Sequence, residues 1–174
     1  KLLDQMLDIS RQDADGLAIH PEDHNVSELV RKIAAEYILI LDGDELLFDV
    51  EIPDEDIYLS IDAPLMERAL RNLLDNAIRY GKDGQYLGIR LTADERSVAV
   101  IVKDKGKGIP PEHQAQIFER FYRVDSGRKG EGLGIGLAIV KDIAEAHQGS
   151  IEMNSTPNVE TVFRITLPRN ISTL

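Results

Sequence analysis

Residues 62–81 constrain the fold more than any other stretch, because they carry their own start, stop and sidedness. Asp62-Ala63-Pro64 opens a helix: aspartate at the cap accepts from first-turn amides, and proline there has no N–H to leave unpaired. The periodicity runs to Tyr80, and Gly81 reads as the stop. At about 100° per residue, Met66, Leu70, Leu73, Leu74 and Ala77 fall on one side, and Arg68, Asn72, Asp75, Asn76 and Arg79 on the other. The apolar side must be buried against another element, and the polar side is left for solvent or a ligand.

The neighbouring segments supply what that helix packs on. Asn25, with Ser27 as a competing cap, opens a helix to about Tyr37. LLFDVEI and DIYLSI read as strands around Pro53–Asp56, and residues 87–93 and 97–103 as strands joined at Asp94-Glu95-Arg96. SVAVIVKD has a continuous apolar run, which favours a central, covered strand. A short helix is expected over 112–118, a longer one from Gly136 to His147 with Gly149 just past its end, then strands 150–155 and 161–167. The order predicts a two-layer α/β sandwich: a mixed, mostly antiparallel sheet with helices on one face. Lys1–Asp15 reads as the last turns of an amphipathic helix; it starts without Met, and the chain is expected to be cut from a longer one.

At 174 residues the chain suits one core. Its 31 acidic against 20 basic residues, net −11, argue against nucleic acid as the main partner, so a polyanion site must be built locally from amides, a few basic side chains and a metal. No cysteine is present, which excludes disulfides and thiolate chemistry, and no apolar run approaches the roughly 18 residues of a membrane span.

Three clusters can carry chemistry, and each has a plainer reading. Asn72 and Asn76, four apart on a polar helix face, offer hard neutral oxygens to magnesium, or are two solvent-facing amides. Asp104-Lys105-Gly106-Lys107-Gly108 follows the central strand: the carboxylate can accept from an exocyclic amine while the glycines admit a flat ring, or the string is a tight turn. Gly130, Gly132, Gly134 and Gly136 open a helix beside Arg128 and Lys129, a setting for phosphates or a bare hinge. Neither a Walker loop nor a dinucleotide fingerprint fits their spacing. None of His20, His24, His113 and His147 belongs to a metal motif; His24 with Glu28 reads as surface pairing, and His147 as a partner of the helix dipole.

Together, Asn72-Leu-Leu-Asp-Asn76, Asp104-x-Gly106-x-Gly108, Ile117-Phe118-Glu-Arg-Phe121 and Gly132-Leu-Gly134-Ile-Gly136-Leu resemble, in order and spacing, the nucleotide-binding boxes of sensor histidine kinases. The resemblance implies the Bergerat ATP-binding fold of the gyrase, Hsp90, histidine kinase and MutL group, with ATP and Mg as cofactors. It makes Asn76 the magnesium ligand, places Asn72 and Arg79 at the phosphates, and puts Tyr80 in the pocket wall. Asp104 would take the adenine amine, with Gly106, Gly108, Ile109 and Thr161 around the base. A lid at about 119–132, with Phe121, Arg128 and Lys129, would lead to the phosphate end at Gly132, Leu133, Gly134, Ile135, Gly136 and Leu137.

Residues 1–15 resemble the end of a dimerisation helix, with 16–174 as the catalytic domain. The phosphoacceptor histidine would then lie upstream, and a response-regulator receiver domain would be the next partner. The parent is expected to be a homodimer anchored in a bacterial membrane, with this part cytoplasmic and monomeric when isolated. Relatives that hydrolyse ATP carry a glutamate base at the position of Asn72, which weakens hydrolysis for this chain. One departure is Glu160, where the family's last box has glycine.

Overall fold

The structure is a computed structural model, and it describes residues 17–124 and 134–169. The helix read at 1–15 and the basic and glycine residues Arg128, Lys129, Gly130, Gly132 and Leu133 lie outside the described residues.

The elements, in chain order, are β1 (Glu22–Asn25), α1 (Val26–Ile40), β2 (Leu47–Glu51), β3 (Tyr58–Ile61), α2 (Ala63–Gly81) and β4 (Tyr86–Ala93). There follow β5 (Ser97–Asp104), α3 (Pro111–Gln114), α4 (Gly136–Ala146), β6 (Ser150–Thr156) and β7 (Glu160–Pro168). Five strands make the main sheet in the order β2-β4-β5-β7-β6, parallel only between β2 and β4. Helices cover one face, which is the two-layer α/β sandwich expected. β5 is the middle strand, and Val98, Val100 and Val102 are buried, with α2 packed on the strand.

The expected caps form. Asn25 Oδ1 accepts from Glu28 N at 3.1 Å, so Asn25 is the cap of α1. The competing Ser27 is fully buried and bridges elsewhere, donating to the Glu55 carbonyl and accepting from Ile57 N. Asp62 caps α2 through Leu65 N at 3.2 Å, and its other oxygen accepts from His20 N at 3.0 Å. All five residues of the predicted stripe are buried, each 2 % exposed or less.

Four local readings change. The strands flanking Pro53–Asp56 do not pair with each other: β2 runs beside β4, whereas β3 joins β1 in a separate two-stranded sheet. The helix expected over 112–118 stops at Gln114 and continues as tighter turns, with Gln116 N bonded to His113 O and Glu119 N to Gln116 O. His24 sits in β1 at 4.0 Å from Glu22 rather than pairing with Glu28. His147 does meet the end of its helix, but that is only part of its role. It is fully buried, accepts from Asp62 N at Nε2 (2.9 Å) and donates from Nδ1 to the Ile143 carbonyl (2.8 Å). That neutral tautomer bolts the end of α4 to the start of α2.

Candidate functional site

One face of α2 carries or meets several of the predicted residues. At its middle, Asn72 Nδ2 donates to the carbonyl of Gly136, the first residue of α4, at 3.4 Å. α4 has no side-chain cap, so its leading amides are available at that end. Asn76 is half-buried one turn further along, with no hydrogen bond to another side chain among the described residues. Arg79 and Tyr80 are exposed on the last turn. Gly81 then meets Asp104 at the end of β5. From Asn72 to Gly81 the helix rises about 14 Å, so an amide-rich end and a carboxylate end are spaced along one axis.

The roll of α2 about that axis is set by α1. The Tyr37 hydroxyl, buried beneath the helix, donates to Asp75 Oδ1 at 2.6 Å, and Arg71 reaches Glu36 at 2.7 Å. Burial first, and then the Asp75 carboxylate, push the Tyr37 phenol well above its ordinary range. With Asp75 held toward α1, Asn72 reaches the start of α4.

Asp104 is 4 % exposed. Desolvation raises its carboxyl from 3.8 to about 6, and only the bond accepted from Gly106 N at 2.9 Å opposes the rise. It lies opposite Thr161 in the β5–β7 ladder, and Thr161 is also buried. Glycines let the backbones close on it. A side chain at Gly81 would overlap the Asp104 side chain, one at Gly106 would strike the carbonyl of Tyr80, and one at Gly84 the carbonyl of Lys105. Gly108 has φ +69 and lies against Thr156 and Pro157. An open depression of about 200 Å³, lined by Lys105, Gly106, Lys107, Asp83, Gly84 and Asn158, is a neighbouring feature: none of Asn72, Asn76, Asp104 or Thr161 lines it.

Other predicted residues are distributed as follows. Ile109 packs on the core; its N–H donates to Ser155 Oγ at 2.8 Å, and its carbonyl accepts from Gln114 Nε2 at 2.8 Å. Ile135 is buried and Leu137 packs on the core, which places their backbones at the start of α4. Phe121 is exposed, has φ +67 and donates its N–H to the carbonyl of Gly134, itself at φ +70. Residues 121 and 134 are thereby held together. Glu160 is an ordinary strand residue paired with Lys103 at 2.6 Å; the left-handed residue of its turn is Asn158 (φ +59). The turn before Glu160 takes its left-handed conformation from Asn158, a residue type that tolerates it.

Sequence reasoning missed Gly81, Gly84, Gln114 and Ser155 as parts of the site. The register of the last two strands was the available signal for Ser155, since it places that residue opposite Thr161.

The donor set fits the groups the resemblance implies. A buried carboxylate suits an amine donor, and a single half-buried amide suits magnesium, which keeps most of its shell for phosphates and water. Among the described residues no cluster of His, Cys, Asp or Glu competes for a metal.

Residues 61–171 match the family described as histidine kinase-, DNA gyrase B-, and HSP90-like ATPase, and the chain belongs to it. It has the Bergerat fold of ATP-binding sensor-kinase catalytic domains. Sensor protein SrrB of Staphylococcus aureus (strain NCTC 8325 / PS 47) is 37% identical over 171 residues, covering 97% of this chain and 29% of that protein. The chain thus spans about a third of that relative. Among solved structures, the mycobacterial sensor histidine kinase MprB aligns at TM-score 0.72 and 29% identity, covering 84% of this chain and 97% of that one. The Acinetobacter baumannii histidine kinase AdeS aligns at 0.76 and 25%, covering 98% and 78%. Among the described residues no helix is long and apolar enough to cross a membrane.

Proposed function

We propose that this chain holds ATP with magnesium along α2 and presents the γ-phosphate to a histidine on an upstream dimerisation domain. The observation that carries the reading is the residue at the phosphate end: Asn72 stands 3.4 Å from the start of α4. An amide cannot take a proton from water at neutral pH, so Asn72 cannot be the base that hydrolysis needs.

Asp104 would accept from the adenine amine, with Thr161 beside it and Tyr80 and Ile109 along the ring. Asn76 would ligate magnesium, which when bound supplies positive charge to the phosphate oxygens. Arg79 and the α4 amides from Gly136 onward would hold the phosphates, with Asn72 orienting the terminal one. The basic pair Arg128 and Lys129, and Gly132 and Leu133, would complete the lid at about 119–132. The chain's part is positioning, so the nucleophile must come from elsewhere.

In this reading residues 1–15 are the tail of the dimerisation helix and 16–174 the catalytic domain. The isolated domain is monomeric and cytoplasmic, its parent a membrane-anchored homodimer, and a response-regulator receiver domain takes the phosphoryl group next. The chain's coverage of only 29% of a sensor protein supports the existence of such further parts in relatives.

Extending the chain with its upstream helices is expected to yield an acid-labile phosphohistidine from γ-labelled ATP, while the isolated chain stays unlabelled. An extended protein that binds ATP and acquires no label would instead be a regulatory nucleotide-binding module.

A further inference from the structure

The hydroxyl network behind Thr161 determines what the base-reading end can accept. Ser155 Oγ lies 2.8 Å from Ile109 N, 3.1 Å from the Glu160 carbonyl oxygen and 3.0 Å from Thr161 Oγ1. A serine hydroxyl has one proton and two lone pairs. The Ile109 N–H takes one lone pair. A carbonyl has no proton to give, so the Glu160 bond exists only if Ser155 donates there. The contact with Thr161 must then be made by the threonine's own proton.

Thr161 is left with lone pairs alone for anything in front of it. Directly opposed strand residues put their side chains on the same face about 5 Å apart, so these lone pairs lie beside the Asp104 carboxylate. Gln114 locks the arrangement, its Nε2 donating to the carbonyls of Ile109 (2.8 Å) and Ser155 (3.0 Å).

We propose that Ser155 is a specificity-determining residue. By taking the Thr161 proton it makes this end of the site accept only, and so selects a purine with an exocyclic amine over one with an exocyclic carbonyl. An amine has two N–H groups for two acceptors; a carbonyl would set lone pairs against lone pairs. The inference rests on the nucleotide reading above. It adds that discrimination does not come from Asp104 alone.

Calorimetry of the chain with magnesium ATP and magnesium ITP separates the two. Wild type is expected to prefer ATP. In Ser155→Ala, Thr161 can turn its proton toward the ring, and the ATP/ITP affinity ratio should narrow roughly three- to tenfold, the worth of one neutral hydrogen bond. The ratio is the readout, because losing the partner of Ile109 N–H would lower both affinities together. Thr161→Val, close in shape, should narrow the ratio similarly and keeps the test open if Ser155→Ala does not fold. An unchanged ratio in either folded variant overturns the proposal. A wild-type chain that binds neither triphosphate, or an Asp104→Asn chain that binds both as wild type does, overturns the nucleotide reading itself.

Discussion

Asp104→Asn is expected to melt at a higher temperature than wild type at pH 7.5 and to bind ATP about a hundredfold more weakly. The two effects have one cause. Asparagine keeps an oxygen for Gly106 N, so the local backbone bond survives. It removes a charge that burial disfavours, since the folded carboxyl sits at about 6 against 3.8 for a free one. At about 1.4 kcal/mol per unit the ionised form is worth at most ~3 kcal/mol of destabilisation.

The pH dependence has a definite sign. Between about 4 and about 6 the folded state binds more protons at this site than the unfolded state, so stability falls as pH rises through that window. The penalty is complete above about 6 and absent below about 4. The melting advantage of Asp104→Asn should therefore shrink as pH falls from 7.5 toward 4.5, which thermal melts at several pH values check. Loss of ATP binding follows because an amide Nδ2 would set donors against the adenine amine. A stabilising substitution that removes binding marks a residue retained for its ligand.

Gly81→Ala should cost about 1–3 kcal/mol of stability and weaken ATP binding at least tenfold. Its Cβ would overlap that of Asp104 and stand 2.7 Å from Cγ and 2.8 Å from Oδ1. Relief by backbone movement is blocked, because Gly106 already lies against the Tyr80 carbonyl and Gly81 Cα. The aspartate must then turn away from the base. Gly136→Ala is the control: among the described residues its methyl would meet only Asn72, at 3.8 Å or more, and stability should be unchanged. Chemical denaturation and calorimetry on the two variants check both halves.

Where a residue's role is local, it was legible. The cap at Asp62, the stripe from Met66 to Ala77 and the apolar run of β5 each encode their own geometry, so helix, face and central strand follow from the residues. The helix and strand that carry Asn72, Asn76 and Asp104 were read correctly, which fixes where those residues stand in the fold.

Where a role depends on a distant neighbour, the residues looked ordinary. Gly81 reads as a helix stop, yet it belongs to α2 and is small because Asp104 abuts it. Gly149 looks like the left-handed residue past α4, but that residue is Gln148 (φ +57), and Gly149 is there because a side chain would strike the Thr166 carbonyl. His147 resembles a helix-end surface histidine until Asp62, 85 residues earlier, is seen to donate to it. The pairing of β2 with β4 rather than β3 is likewise nonlocal.

The most direct test of the site is titration of ATP into wild-type and Asn76→Ala chains, each with magnesium and with EDTA. The expected result is single-site binding by wild type that weakens when magnesium is removed, and weak binding by Asn76→Ala that barely changes with magnesium. Equal affinity and equal magnesium dependence in the two proteins would contradict the assignment of Asn76, and with it the proposed site along α2.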